Sequence, residues 1–142
     1  MSNNQKVRIL LVDKNSDLPL QDYFIEFTLK DETELKTFKE ENELLSYLKE
    51  HKNNINDPYN NMIIFNCNSI SDNMIDIIKE IKSTENLKSI PLFVIGPNID
   101  DEKIKEIYNA YTNSYIIKPD DFKGLVKLIS RFKGLWSLAE LP

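Results

Sequence analysis

Three polar residues each close an apolar run: Asp13 follows Val7 to Val12, Asn66 follows Met62 to Phe65, and Lys118 follows Ser114 to Ile117. In an open α/β sheet, ligands and chemistry are found in the crevice outside the carboxyl ends of the strands, so these positions carry the functional argument. Asn66 bears on it most directly, because the short run before it, rich in β-branched and aromatic residues, reads as a central strand buried on both faces. Other chemistries find little support. His51, the only histidine, lies in a polar stretch and reads as solvent-exposed, and no histidine-based triad suggests itself. Cys67 reads as a small buried residue, since nothing near it in sequence marks an activated thiol. With one cysteine and one histidine, Cys/His metal sites are excluded by count. Three glycines, Gly96, Gly124 and Gly134, exclude the Gly-rich phosphate loops and weigh against an enzyme.

The 142 residues fit one domain, 1–142, long enough to bury a core. A net charge of -5 argues against nucleic-acid binding, which needs a clustered basic surface. No apolar run approaches the roughly 20 residues that span a bilayer. With a lone cysteine beside a buried strand and no signal peptide, the expected place is the cytoplasm.

The elements that must position the three residues alternate strand and helix. Residues 1–6 are polar and read as frayed. Strands are expected at Val7–Val12, Leu35–Phe38, Met62–Asn66, Ile90–Ile95 and Ser114–Ile117. Helices are expected from Ser16 to Lys30, Glu41 to Lys52, through Ile75, Ile77, Ile78 and Ile81 to an end near Ser83, Asp100 to Ala110, and Phe122 to Trp136, the last being part of a long helix and tail over 121–142. Asn53 to Pro58 is a polar breaker run. Such alternation implies a doubly wound parallel sheet covered on both faces.

At these spacings the chain resembles the receiver domains of response regulators in two-component signalling. Strand one runs into Asp13, strand three into a polar residue, Ile90-Pro91 opens strand four, and Tyr115-Ile-Ile-Lys118-Pro119 carries strand five into its turn. The polar insert before strand three and the ending from Gly134 to Pro142 are similar to the small stand-alone receivers of the cyanobacterial phytochrome response-regulator branch. The resemblance implies a flavodoxin-like (βα)5 fold with strand order 2-1-3-4-5. It also implies a degenerate site. Asn66 stands where the family has its phosphoacceptor aspartate, Lys14 replaces the second acid beside Asp13, and Gly96 replaces the hydroxyl residue that binds the phosphoryl group. Lys118 and the switch aromatic Tyr115 are kept, while Ile70 and Met74 stand where the family tends to carry Pro and Gly. Taken alone, Asp13-Lys14 reads as the start of a helix; the spacing to Asn66 and Lys118 reverses that.

Charge explains why the departures belong together. A site of three carboxylates and one lysine carries about -2 and suits Mg2+, whereas Asp13, Lys14 and Lys118 sum to +1. At about 4 Å and an effective dielectric of about 20, each unit term is worth roughly 4 kcal/mol. Mg2+ is expected to be lost, with Lys14 in its place and Lys118 bridging toward Asp13 and Asn66. The expected function is a pseudo-receiver that works by protein contact without phosphorylation, its partner a histidine kinase or another receiver. A homodimer is expected through the fourth helix, fifth strand and fifth helix, where Tyr108, Tyr111, Phe132, Leu135 and Trp136 supply aromatic and apolar surface. The alternative is a flavodoxin-like protein whose positive pocket takes an anionic small molecule or flavin. Two acids in Asp13 to Asp17 oppose a flavin phosphate loop there.

Overall fold

The amino edge and the carboxyl edge of one parallel sheet are built by different means, and the sequence pattern explains both. The structure, a computed structural model, describes residues 6–14, 34–54, 56–110 and 112–117. Strands β1 (Lys6–Asp13), β2 (Glu34–Phe38), β3 (Tyr59–Asn66), β4 (Leu92–Gly96) and β5 (Ser114–Ile117) pair throughout in parallel, in the order β2-β1-β3-β4-β5. This is the flavodoxin-like order expected. Helices α1 (Glu41–His51), α2 (Asp72–Ser83) and α3 (Asp101–Asn109) are the second, third and fourth of the predicted helices. The first predicted helix, from Ser16, and the last, from Phe122, lie outside the described residues.

Val7 to Val12, Met62 to Asn66 and Leu92 to Gly96 are buried without interruption, as strands covered on both faces require. On α2, Met74, Ile75, Ile77, Ile78 and Ile81 are buried, the spacing of one helical stripe. That helix starts where Ser71 Oγ accepts the Met74 N–H at 3.1 Å, and α3 starts where Asp100 Oδ1 accepts the Lys103 N–H at 2.9 Å. Each cap satisfies a donor that has no partner inside its helix. No helix among the described residues is long and apolar enough to cross a membrane.

Two strand starts differ from expectation by more than one residue. β3 begins at Tyr59 instead of Met62, because Tyr59, Asn60 and Asn61 continue the ladder opposite Lys6, Val7 and Arg8. Their polarity suits the amino edge, where a buried cation needs polar neighbours. Arg8 Nε donates to Glu34 Oε1 at 3.0 Å, Nη1 to Asp57 Oδ2 at 2.7 Å and Asn61 Oδ1 at 3.3 Å, and Nη2 to Asp57 Oδ1 at 3.2 Å. The guanidinium also lies 4.5 Å from the centre of the Tyr59 ring. β4 begins at Leu92 instead of Ile90. Pro91 lies just before it, with its carbonyl accepting from the Ile63 N–H at 2.9 Å, and Asn113 Oδ1 accepts from the Leu92 N–H at 2.8 Å.

Arg8 holds the Asp57 carboxyl below its usual value. A depressed carboxyl contributes stability above the unfolded value of 3.8 and loses it as pH falls through the folded value. Arg8→Met is therefore expected to cost about 3 kcal/mol at neutral pH in urea unfolding, the scale for removing one partner of a buried pair. The difference from the parent chain shrinks as pH falls below 3.8; a pH-independent difference would contradict the assignment.

Candidate functional site

The ladder brings the strand ends into one row, since Asp13 lies opposite Asn66, Asn66 opposite Ile95, and Gly96 opposite Ile117. Asn66 is fully buried, and its Nδ2 donates to Asp13 Oδ1 at 2.9 Å. The backbone reinforces this contact, with the Lys14 N–H donating to the Asn66 carbonyl at 2.9 Å and the Cys67 N–H to the Ile95 carbonyl at 3.0 Å. Register thus delivers an amide donor to a carboxylate.

Lys14 does not stand in place of a cation at this row. Its Nζ donates to Glu41 Oε2 at 2.9 Å and lies 3.6 Å from Glu40 Oε2, so the ammonium turns to the start of α1. Glu41 is buried, and its Oε1 also accepts from Asn73 Nδ2 at 2.9 Å, which joins the first turns of α1 and α2. Burial alone would push the Glu41 carboxyl up, but the bonds from Lys14 and Asn73 outweigh it and hold the carboxyl low. Burial would likewise lower Lys14, and Glu41 and Glu40 outweigh it to raise the ammonium. Two acids from the start of α1 thus stand against the Lys14 charge that the expected positive pocket of Asp13, Lys14 and Lys118 counted. Glu41 and Asn73 escaped the sequence reading because the run from Lys39 to Glu43 looks like an ordinary solvated charge cluster.

Gly96 is buried at the end of β4, and the Tyr115 ring closes over it. A Cβ at position 96 would stand 2.5 Å from Tyr115 Oη and 3.1 Å from its Cζ. The Tyr115 hydroxyl donates to the Pro97 carbonyl at 2.5 Å, and the Tyr115 N–H donates to Tyr108 Oη at 3.1 Å. Burial, with the nearby Cys67, pushes the phenol up to about 12.

The remaining expectations divide. Tyr108 is exposed on α3, as is Ile117 at the end of β5. Met74 is buried in the first turn of α2, and Ile70 packs on the rim of the core. His51 is exposed, its ring stacked on Tyr47, and Cys67 is buried. Lys118, Tyr111, Phe132, Leu135 and Trp136 lie outside the described residues. Among the described residues no three His, Cys, Asp or Glu side chains are grouped to hold a metal. Of the residues that the resemblance gives to Mg2+, Asp13 keeps its carboxylate and Asn66 is an amide whose NH2 group faces it.

No family model matches the chain. Response regulator Rcp1 of Synechocystis sp. strain PCC 6803 is 24% identical over 135 residues, covering 95% of this chain and 91% of Rcp1. The structure of its Mn(2+)-bound form superposes over 92% of this chain and 94% of that one, with a TM-score of 0.71 and 22% identity. The phosphorylated cyanobacterial phytochrome response regulator RcpA gives a TM-score of 0.73 at 24% identity, again over 92% and 94% of the two chains. The fold is that of a response-regulator receiver domain. The resemblance to the phytochrome response-regulator branch extends over nearly the whole chain. A probable methanogenesis regulatory protein, FilR2 of Methanothrix harundinacea, is 31% identical over 61 residues, 43% of this chain and 39% of that protein. This chain thus matches less than half the length of FilR2.

Within the receiver fold, Lys14 and Glu41 form a pair whose partners are expected to fail separately and not together. Lys14→Met strands a buried carboxylate and is expected to cost about 3 kcal/mol, whereas Lys14→Met with Glu41→Met removes both charges and costs less than either single change. Chemical denaturation of the three variants checks this. A strictly additive double variant would show that the pair is not coupled.

Proposed function

We propose that this chain is a single receiver-like domain of two-component or phosphorelay signalling, acting by protein contact without phosphorylation of its own. The observation that carries the reading is the amide of Asn66 bonded to Asp13 at the position that resembles the phosphoacceptor site. An amide offers no carboxylate oxygen to attack a phosphodonor. Gly96 supplies no hydroxyl to hold a transferred group, and Lys14 is committed to Glu41. The whole-chain likeness to Rcp1 supports the signalling setting, and the departures at the row support a pseudo-receiver in which Mg2+ binding is lost.

On this reading the protein is not an enzyme, resides in the cytoplasm and meets a histidine kinase or another receiver. The contact face is placed on α3, β5 and the segment after residue 121, with a homodimer as its simplest form. Exposed Tyr108 and Ile117 support that placement. An anionic-ligand pocket has less support, because Glu40 and Glu41 offset the charge of Lys14 that would draw an anion.

Incubation with a small-molecule phosphodonor and Mg2+ is expected to leave the intact mass unchanged. A phospho-adduct mapped to the Asn66 peptide would overturn the proposal. Asn66→Asp alone places two carboxylates side by side, so one is expected to bind a proton more tightly and the variant to gain stability as pH falls. Phosphorylation is expected to require Lys14→Asp as well.

A further inference from the structure

We infer that the amino edge of the sheet carries a ligand site of its own, a cavity of about 130 Å3 between the end of α1, the start of β3 and residues 86–90, which takes an uncharged cyclic imide the size of the uracil ring. It lies at the end of the strands opposite Asn66 and goes beyond the function proposed above. An apolar cavity of about 150 Å3 holds one benzene ring, so the volume here admits a single ring with its substituents at the mouth.

The walls are fixed before any ligand arrives. Asp57 and Asn61, which both line the cavity, turn side-chain oxygens to the Arg8 guanidinium, and the Tyr59 ring lies 4.5 Å from that group. The Asp57 charge is thereby answered, and the cavity calls for no cation. The Tyr47 ring is stacked on His51 with centres 4.2 Å apart, and Lys36 Nζ stands 5.1 Å from its centre. Buried Leu48 and Leu87 supply apolar surface for the face of a ring. Walls held in this way cost little to order when a ligand enters.

The bonds already made decide which polar groups remain for a ligand. Asn61 spends its oxygen on Arg8 and Asn54 spends its own on the Asn56 N–H, so each offers an NH2 group. Asn86 spends its NH2 group on Asn53 Oδ1 at 3.2 Å and offers an oxygen. His51 Nδ1 lies 2.8 Å from the Tyr47 carbonyl, which can only accept, so Nδ1 carries the proton and Nε2 of the neutral ring is an acceptor. The Tyr47 hydroxyl has no hydrogen-bond partner among the described residues, and burial raises the phenol, so it stands as a donor at neutral pH. Lys52 brings a charge only to the exposed rim, where salt screens it. Uncharged donors thus outnumber acceptors. A cyclic imide presents the matching edge, two carbonyl oxygens flanking one N–H, whereas cytosine exchanges one of those oxygens for an amine.

Amide NMR of the full chain, titrated with uracil, tests the site. The signals of Asn54, Asn61, Asn86 and Leu87 are expected to move and that of Asn66 to stay. Two variants spare the fold. Tyr47→Phe removes only the hydroxyl, and Asn86→Gly keeps the left-handed backbone, φ 72°, while removing the acceptor. Each is expected to weaken uracil about fivefold, the scale of one hydrogen bond. Cytosine is expected to bind less tightly than uracil. Absence of shifts at these four residues with uracil at about 5 mM overturns the inference, as does unchanged affinity in either variant. Should Tyr47→Phe fail to fold, Asn86→Gly decides alone. Cytosine binding as tightly as uracil overturns the imide edge, and benzoate binding there more tightly overturns it equally, since Lys52 would then govern an anion site.

Discussion

The hydrogen bond from Asn66 Nδ2 to Asp13 Oδ1 closes the longest ladder of the sheet. β1 and β3 pair in register from Lys6 opposite Tyr59 to Asp13 opposite Asn66, so whatever side chains occupy the last pair must come to terms with each other. Two carboxylates there would repel by roughly 4 kcal/mol at about 4 Å and an effective dielectric of about 20, and would need a cation between them. An amide removes that need, since its NH2 group gives the carboxylate a donor at no cost in charge, and a hydrogen bond to a charged group is worth about 1.5–3 kcal/mol. With no surplus of negative charge to answer at the row, Lys14 reaches instead to Glu41 and ties β1 to the starts of α1 and α2.

This dependence explains what the sequence made legible. Uninterrupted apolar runs locate central parallel strands, and a change to a polar residue marks their carboxyl ends, so Asp13 and Asn66 could be placed at one edge before any coordinates. The start of β3 was less legible. Tyr59, Asn60 and Asn61 look like loop until Arg8 is seen to need polar neighbours beside it, and Arg8 sits 53 positions from Asn61. The destination of Lys14 was hidden for the same reason: its partner lies 27 positions away, in a run of charges where nothing distinguishes buried Glu41 from exposed Glu43. Gly96 could be read as a missing hydroxyl, but not as space already filled. That fact depends on the rotamer of Tyr115, which no pattern of hydrophobicity encodes.

The two edges of the sheet meet the problem of buried charge in different ways. At the amino edge Arg8 keeps its charge inside and surrounds it with Asp57, Glu34 and Asn61. At the carboxyl edge the Asp13 carboxylate is met by a neutral amide in the row, and the Lys14–Glu41 ion pair stands on the flank at the starts of α1 and α2.

One consequence concerns control. Lys14 is raised, Glu41 is lowered and the Tyr115 phenol is pushed up to about 12, so these three groups keep their protonation state across the neutral range. His51, the residue type most often used to sense neutral pH, lies exposed at the end of α1, with its Nδ1 2.8 Å from the Tyr47 carbonyl. It belongs to the group of residues around Tyr47, Asp57 and Tyr59, at the edge opposite Asn66. Under the proposed function, a face whose supports neither titrate near neutrality nor accept a phosphoryl group stays the same from one moment to the next. Under the proposed function, its output is then set by how much of the chain is present and by which partner competes for it.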